Sequence, residues 1–415
     1  MLKKIIRRLR QSILVDFLRS LIPDKLVNSL FHFPSALLAV LYYRYPAKSL
    51  KVIGVTGTDG KTTTSSLIYS ILKQANYKVA LISTVSAKIG ENELATGLHV
   101  TSPSPWELQR LLRLIVDKGF KYVVLESTSH GLAQHRLLGC NFFMGVVTNI
   151  THEHLDYHKT WNNYLSSKAK LFKQTKYNIL NKDDKSFKIL KKLIGKNIIT
   201  YGLNQADYSV KKTIFKTQLI GEFNILNCLA AYAVADLLKV NKITIQKAIA
   251  DFKGVIGRME EIKMGQNFKV FVDFAHTPNG LKNALQALKQ LPHHKLIAVF
   301  GCAGLRDPSK RPMMGKIACQ LANKVVLTAE DPRTEKVDDI ISQIINGCDN
   351  KNKIYKQPDR QKAIDLAIIK LAKDKDIVGI FGKGHEQSLC FGYKEYPWSD
   401  KKAAIKALKR RLKNV

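Results

Sequence analysis

The sequence predicts an α/β protein with two mostly parallel sheets in successive domains and a short helical extension in front. Three observations predict it. Apolar, β-branched runs alternate with helical patterns through most of the 415 residues. A glycine-rich loop directly follows the first of those runs. The alternation then pauses at Gly254-Val255-Ile256-Gly257 and starts again.

Each element has a local reason. Residues 50–55, 79–82, 122–125 and 145–147 are short apolar runs bounded by turn residues, as expected of strands buried on both faces. Residues 224–240 are rich in Ala and Leu and read as a helix. Beyond the pause, 270–272, 296–300, 325–327 and 377–381 repeat the strand pattern, each followed by a polar or glycine-rich loop and a helical stretch. Residues 401–413 read as a basic terminal helix with a solvated face. The length exceeds one ordinary core. The expected division is 1–48, a basic helical extension; 49–255, a central domain; and 256–415, a C-terminal domain.

Composition narrows the class. Hydrophobic residues make up 45%, enough for sizeable cores. Lys plus Arg is 67 against 33 acidic residues, a formal charge of +34, which favours anionic ligands without choosing among them. No aromatic stacking platform or recognition motif accompanies the charge, so no specific nucleic acid is expected. The six cysteines form no CxxC pair, so neither a zinc site nor a disulfide framework is expected, and free cysteines suit a reducing cytoplasm. In the first 20 residues, Lys3, Lys4, Arg7, Arg8 and Arg10 interleave with apolar residues at helical spacing. That segment reads either as a cap on the next domain or as a peripheral contact with the inner face of a membrane.

The sharpest local signal is Gly57-Thr58-Asp59-Gly60-Lys61-Thr62-Thr63-Thr64, between a predicted strand and helix. Such a loop turns backbone N–H groups around phosphates, and the helix N-terminus adds positive potential. Lys61 would reach the β/γ-phosphates of ATP, and the Thr62 hydroxyl would ligate Mg²⁺. The spacing departs from the common GxxxxGK[ST] form, because Val55 stands where the first Gly is usual.

The loop resembles that of the Mur ligase superfamily, in which Asn is usual at position 59. Further segments resemble the family in order: Glu126-Ser127-Thr128-Ser129-His130; Thr148-Asn149-Ile150-Thr151-His152-Glu153-His154-Leu155-Asp156-Tyr157-His158; Tyr164 with Lys168; Gly221-Glu222-Phe223-Asn224; Gly257-Arg258-Met259-Glu260; Asp273-Phe274-Ala275-His276-Thr277-Pro278; and Gly382-Lys383-Gly384-His385-Glu386. The resemblance runs from about residue 50 to 400, nearest to the branch that adds the third stem-peptide residue to a UDP-N-acetylmuramoyl-dipeptide. It implies a P-loop central domain, a Rossmann-like C-terminal domain and a cytoplasmic ATP-dependent ligase, expected to be a monomer.

The resemblance also implies roles. Gly57, Thr58, Asp59, Gly60, Lys61, Thr62, Thr63, Asn224, Arg258, Asp273 and His276 fall on ATP-binding positions. Thr62 and Glu126 would serve one Mg²⁺ and His154 a second, with Lys168 carbamylated to an anion in support. Thr101, Ser102, Ser129, Gln134 and Arg136 fall on acceptor-binding positions. Arg306, Glu330, Asp331, Arg333, Gly384 and Glu386 fall where the incoming amino acid is held. Arg333 favours meso-diaminopimelate over lysine, because a guanidinium grips the distal carboxylate. Against that, Glu330-Asp331 replaces the family's Asp-Asn, and the added negative charge would either repel a second carboxylate or favour a more cationic amino acid. Fewer than 50 residues precede the loop strand, so the acceptor is expected to be either UDP-linked and held differently, or lipid-linked. The alternatives are a ligase for another glutamyl carboxylate and a basic nucleic-acid-binding P-loop protein.

Overall fold

The computed structural model describes residues 24–94 and 102–413. The basic residues 1–20 and Thr101 lie outside them.

Asp24–Val27 and a π-helical turn, Asn28–His32, lead into α1 (Phe33–Tyr42). Its inner face buries Ala36, Ala39 and Val40 against the central domain, and the Trp106 indole N–H meets Ser35 Oγ at 3.3 Å. Its outer face leaves Leu38, Leu41 and Tyr42 exposed.

The first sheet carries nine strands: β1 (Lys51–Thr56), β2 (Val79–Ile82), β3 (Ala87–Ile89), β4 (Asn92–Leu94), β5 (Tyr122–Glu126), β6 (Phe142–Val147), β7 (Tyr177–Asn181), β8 (Ile198–Gly202) and β9 (Tyr208–Ser209). Their order is β4-β3-β2-β5-β1-β6-β7-β8-β9, parallel except for the β3–β4 edge. Helices α2 (Lys61–Gln74), α3 (Pro105–Asp117), α4 (Trp161–Ala169) and α5 (Glu222–Leu237) cover its two faces. β1 lies between β5 and β6, so chain connections leave it in opposite directions and open a crevice at its carboxyl end.

The second sheet carries β10 (Glu260–Glu261), β11 (Lys269–Asp273), β12 (Leu296–Phe300), β13 (Lys324–Leu327), β14 (Ile354–Lys356) and β15 (Ile377–Phe381), in the order β10-β11-β15-β12-β13-β14. Only β10 runs antiparallel. Helices α6 (Pro278–Lys289), α7 (Lys310–Leu321) and α8 (Val337–Ile345) cover one face, and α9 (Asp400–Lys413) lies on the other. A separate hairpin pairs β16 (Ser388–Phe391) with β17 (Lys394–Pro397).

Two expectations are corrected. The terminal helix α9 is not merely a solvated face: Ala403, Ala404, Ala407 and Leu408 are buried on the sheet, a stripe of small residues that its many lysines mask in the sequence. The cysteines are not all free. Cys319 and Cys348 form a disulfide with Cα atoms 5.6 Å apart, because α7 and α8 pack side by side and bring together residues 29 apart in sequence. Cys140, Cys228, Cys302 and Cys390 remain free and buried.

Candidate active site

The glycine loop leaves β1 and turns into α2 with Gly60 at φ 81°, a left-handed cap that suits glycine. A Cβ at Gly57 would meet Thr148 Oγ1 at 1.8 Å, so the loop's approach to the next strand also requires glycine. The loop after β6 holds it in place. Thr58 N–H donates to Asn149 O at 2.8 Å, Asp59 N–H to Asn149 Oδ1 at 3.0 Å, and Thr148 Oγ1 to Asp59 O at 2.6 Å. Asn149 and Thr148 stand in a motif with family likeness, but only their contacts reveal them as the loop's brace.

Lys61 curls over the loop, its Nζ donating to Thr58 O at 2.7 Å. Desolvation lowers its pKa, opposed by Glu126 and Asp59. The Thr62 hydroxyl lies 3.1 Å from both carboxylate oxygens of Glu126, whose Oε2 also accepts Thr84 N–H at 2.9 Å. Arg258 crosses from the second domain to Thr62 Oγ1 at 3.2 Å while stacking on Phe274. Thr64, Asn227 and Asn224 form a hydrogen-bonded chain behind the loop. Asp273 turns both carboxylate oxygens onto backbone N–H groups of Met259 and Ala275, so it braces the facing loop. His276 lines the same cleft, and burial pushes its pKa down to about 3.

These residues surround a cleft of about 400 Å³ between the two sheets. Glu126 and Thr62 offer hard oxygen ligands at its floor. That suits Mg²⁺, which keeps several waters and takes its remaining ligands from substrate phosphates. His154 also lines the cleft in a left-handed conformation, its ring edge-on to His130 at 4.7 Å. Desolvation, aided by His130 and Lys168, holds it neutral, as a metal-ligating imidazole must be. Among the described residues no group of three His, Cys, Asp or Glu forms a ready-made metal cage. Lys168 on α4 is 1% exposed. Its Nζ sits over the Tyr164 ring at 4.4 Å and donates to Gly57 O at 2.6 Å. It is thus no surface lysine, although Lys170 and Lys173 nearby suggest one.

Ser102, Ser129, Gln134 and Arg136 do not line the cleft, although Thr128, which does, lies beside Ser102 and Ser129. Ser102 Oγ meets Thr128 Oγ1 at 2.8 Å, and Arg136 Nη1 donates to Ser102 O at 3.1 Å. Ser129 Oγ and Gln134 Oε1 are buried without a hydrogen-bond partner among the described residues.

The amino-acid candidates converge from the second domain. Arg306, Glu330, Asp331, Arg333 and Glu386 line the cleft, whereas Gly384, at φ 48°, packs behind it against the backbone of Gly257. The Arg333 backbone is pinned to the β16–β17 hairpin: its N–H donates to Cys390 O at 3.1 Å and its carbonyl accepts Gly392 N–H at 2.7 Å. Its guanidinium donates to Gly304 O and forms no ion pair among the described residues. Glu335 is taken by Arg311 instead, with bonds of 2.8 and 3.0 Å. Asp331 is itself paired. Lys383 Nζ lies 2.9 Å from both Asp331 oxygens and also pairs with Glu386, so the extra carboxylate is neutralised within the protein. Glu330 is buried, and desolvation raises its pKa to about 8.

A phosphate-cradling loop, a carboxylate–hydroxyl pair at its floor and a facing domain that brings cations to the same cleft together define a nucleotide-dependent ligase. Residues 55–235 match the Mur ligase middle domain and residues 257–384 the Mur ligase glutamate ligase domain. The chain belongs to the Mur ligase family of ATP-dependent ligases. It is 38% identical, over 88% of its length and 80% of the relative's, to UDP-N-acetylmuramoyl-L-alanyl-D-glutamate–2,6-diaminopimelate ligase of Caldanaerobacter subterraneus subsp. tengcongensis. The ligase of that name from Synechocystis sp. is 39% identical, over 89% of this chain and 78% of its own. A solved structure of a ligase with that name superposes at TM-score 0.59 with 31% identity, over 88% of this chain and 79% of that one. Mycobacterium tuberculosis folylpolyglutamate synthase with ADP shares the fold alone, at TM-score 0.68 and 16% identity, over 86% of this chain and 92% of that one.

Proposed function

We propose that the protein joins meso-diaminopimelate to UDP-N-acetylmuramoyl-L-alanyl-D-glutamate, with cleavage of ATP to ADP and phosphate, in peptidoglycan synthesis. The observation that carries the choice of amino acid is Arg333. Its guanidinium faces the cleft without a carboxylate partner among the described residues, while Lys383 neutralises the neighbouring Asp331. A distal carboxylate would complete Arg333 through paired N–H bonds, whereas lysine has no distal carboxylate and would leave the guanidinium facing only an ammonium.

The chemistry follows from positioning. The glycine loop and Lys61 hold the triphosphate, and Thr62, Glu126 and His154 would hold Mg²⁺, which supplies charge neutralisation at the phosphates. The acceptor carboxylate attacks the γ-phosphorus and ADP leaves, giving an acyl phosphate. The amine of the incoming amino acid adds to that carbonyl, the tetrahedral adduct expels phosphate, and the nitrogen loses a proton. Closure of the two domains would exclude water and protect the acyl phosphate from hydrolysis.

At Lys168, burial and the nearby Lys61 favour the neutral amine, against Asp59, Glu153 and Glu126, and its Nζ meets the Gly57 carbonyl and the Tyr164 ring. A neutral amine adds to CO₂ and loses a proton to become a carbamate. Such an anion would serve the metal side of the cleft where an ammonium would oppose it.

The exposed face of α1 carries Leu38, Leu41 and Tyr42, and in the sequence the basic segment 1–20 precedes it. We propose that this end touches the anionic inner surface of the membrane from the cytoplasmic side, with the protein a monomer. No helix among the described residues is long and apolar enough to cross a membrane. Should a lipid-linked muramoyl peptide replace the UDP-linked acceptor, the same surface would bring it near.

The deciding experiment is phosphate release from ATP and Mg²⁺ with UDP-muramoyl-dipeptide and a panel of amino acids. Release is expected only with the acceptor and meso-diaminopimelate together. Arg333→Ala should raise the KM for diaminopimelate about 100-fold, the scale of a charge-assisted pair, while KM for ATP holds. Equal turnover with lysine would overturn the specificity, and release without any amino acid would overturn the ligase reading.

A further inference from the structure

We propose that Asp59 and Asn279 form a strap between the two domains that makes the shape of the phosphate loop depend on domain closure. Asp59 sits in the middle of the loop, and its backbone is already fixed by Thr148 and Asn149 of the same domain. Its side chain points the other way. Oδ1 accepts the Thr277 hydroxyl at 3.1 Å, and Oδ2 accepts Asn279 Nδ2 at 2.9 Å, both across the cleft.

Thr277 and Asn279 stand at the start of α6 in the C-terminal domain. Thr277 is its N-cap, accepting Gly280 N–H at 2.9 Å while donating to Asp59, so its hydroxyl is used once as acceptor and once as donor. The Asp59 carboxylate therefore occupies the positive end of a twelve-residue helix that belongs to the other domain. Gly280 leaves room for this: a Cβ there would come 3.3 Å from Asp59 Oδ1 and 2.9 Å from Thr277 Oγ1.

The charge explains why the contact matters. A carboxylate in a loop that cradles phosphates repels its own ligand unless donors hold it elsewhere. With the domains together, α6 draws the Asp59 side chain to the far side and leaves the loop's N–H groups and Lys61 to the triphosphate. With the domains apart, the carboxylate is released beside the phosphate site. Asp59 and Asn279 are thus positioning residues acting through the loop. This reading requires only that the loop takes ATP, whichever amino acid is joined.

The pair offers a reciprocal test. Asn279→Asp places two carboxylates face to face and should lower kcat/KM for ATP at least about tenfold. Adding Asp59→Asn restores one amide opposite one carboxylate with their positions exchanged, and should return the value to within about threefold of wild type, a non-additive outcome. Asp59→Asn alone keeps an acceptor oxygen and should be mildly affected. Small-angle scattering with a non-hydrolysable ATP analogue supplies a readout that a local packing fault would not move: compaction should be lost in Asn279→Asp and regained in the double variant. Additive losses, or Asn279→Asp compacting and turning over as wild type does, would sink the strap. Wild-type turnover with the wrong amino acid would instead count against the specificity reading and leave the strap standing. Thermal melts of each variant identify any that fail to fold, and the double variant then decides the matter.

Discussion

At the scale of single residues, the cleft holds ionisable groups in states that water would not allow. Burial raises Glu330 from its ordinary 4.5 to about 8, even with Lys310, Arg360 and Lys383 drawing it down. The folded protein therefore binds a proton there that the unfolded chain releases above pH 4.5. The contribution to stability is whole below pH 4.5 and is lost as pH rises towards 8. Glu330→Gln should flatten that part of the dependence of Tm on pH, measured by calorimetry from pH 5 to 8. An unchanged slope would remove Glu330 as its source. Lys168 makes a separate prediction. Lys168→Ala should nearly abolish turnover, with partial rescue by a small carboxylate, and ¹³CO₂ should give the wild-type protein a carbamate NMR signal that the variant lacks. Full activity of Lys168→Ala would end the carbamate proposal.

At the scale of elements, each functional side chain sits where one segment is tied to another. The Arg333 loop is bound to the β16–β17 hairpin by backbone bonds, and Cys390 N–H also donates to Asp331 Oδ1 at 2.9 Å. Helix α9 is anchored at its start by a fully buried pair: Arg360 Nε and Nη2 meet the two Asp400 oxygens at 2.8 and 2.7 Å. Arg360 Nη1 also donates to Ala329 O and Nη2 to Phe381 O, so the same guanidinium supports the segments that carry Glu330 and Lys383. Asp400→Ala leaves that charge buried and unpaired, and should cost about 3–5 kcal/mol by denaturant unfolding. A loss under about 1 kcal/mol would mean that water reaches Arg360 in the native fold. Several of these elements were legible beforehand. The strands 79–82, 296–300 and 377–381 match β2, β12 and β15, because each is a short apolar run cut off by polar or glycine residues. The short strands β3, β4, β9 and β14 were not, because two or three residues leave no run to read.

At the scale of the whole molecule, the two sheets face each other across one cleft, and pairs of opposite character bridge it. Lys310 Nζ lies 3.4 Å from Glu153, His152 Nε2 lies 3.1 Å from Asp307, and Arg306 approaches Asp156 at 3.8 Å. Lys310 also donates to His276 O at 2.9 Å, which ties the domain junction to another residue lining the cleft. The membrane contact belongs to this scale as well. The full chain should sediment with vesicles containing anionic phosphatidylglycerol and not with phosphatidylcholine alone, and added salt should weaken the binding. Leu38→Gln with Leu41→Gln should reduce it. Indifference to lipid charge, or self-association of the free protein through this face, would overturn the contact.

The sequence by itself determined the two α/β domains' strand runs, the glycine loop and the candidate residues for the cleft, because these depend on short-range pattern and on spacing within one segment. It did not reveal that Lys383 cancels Asp331, that Cys319 reaches Cys348, that Lys168 is buried against Gly57, or that Asn279 holds Asp59. Each of those pairs lies 29 to 220 residues apart. Only the packing of helices on sheets, and of one domain against the other, fixes which distant groups meet, and the sign and strength of an electrostatic contact depend on that meeting.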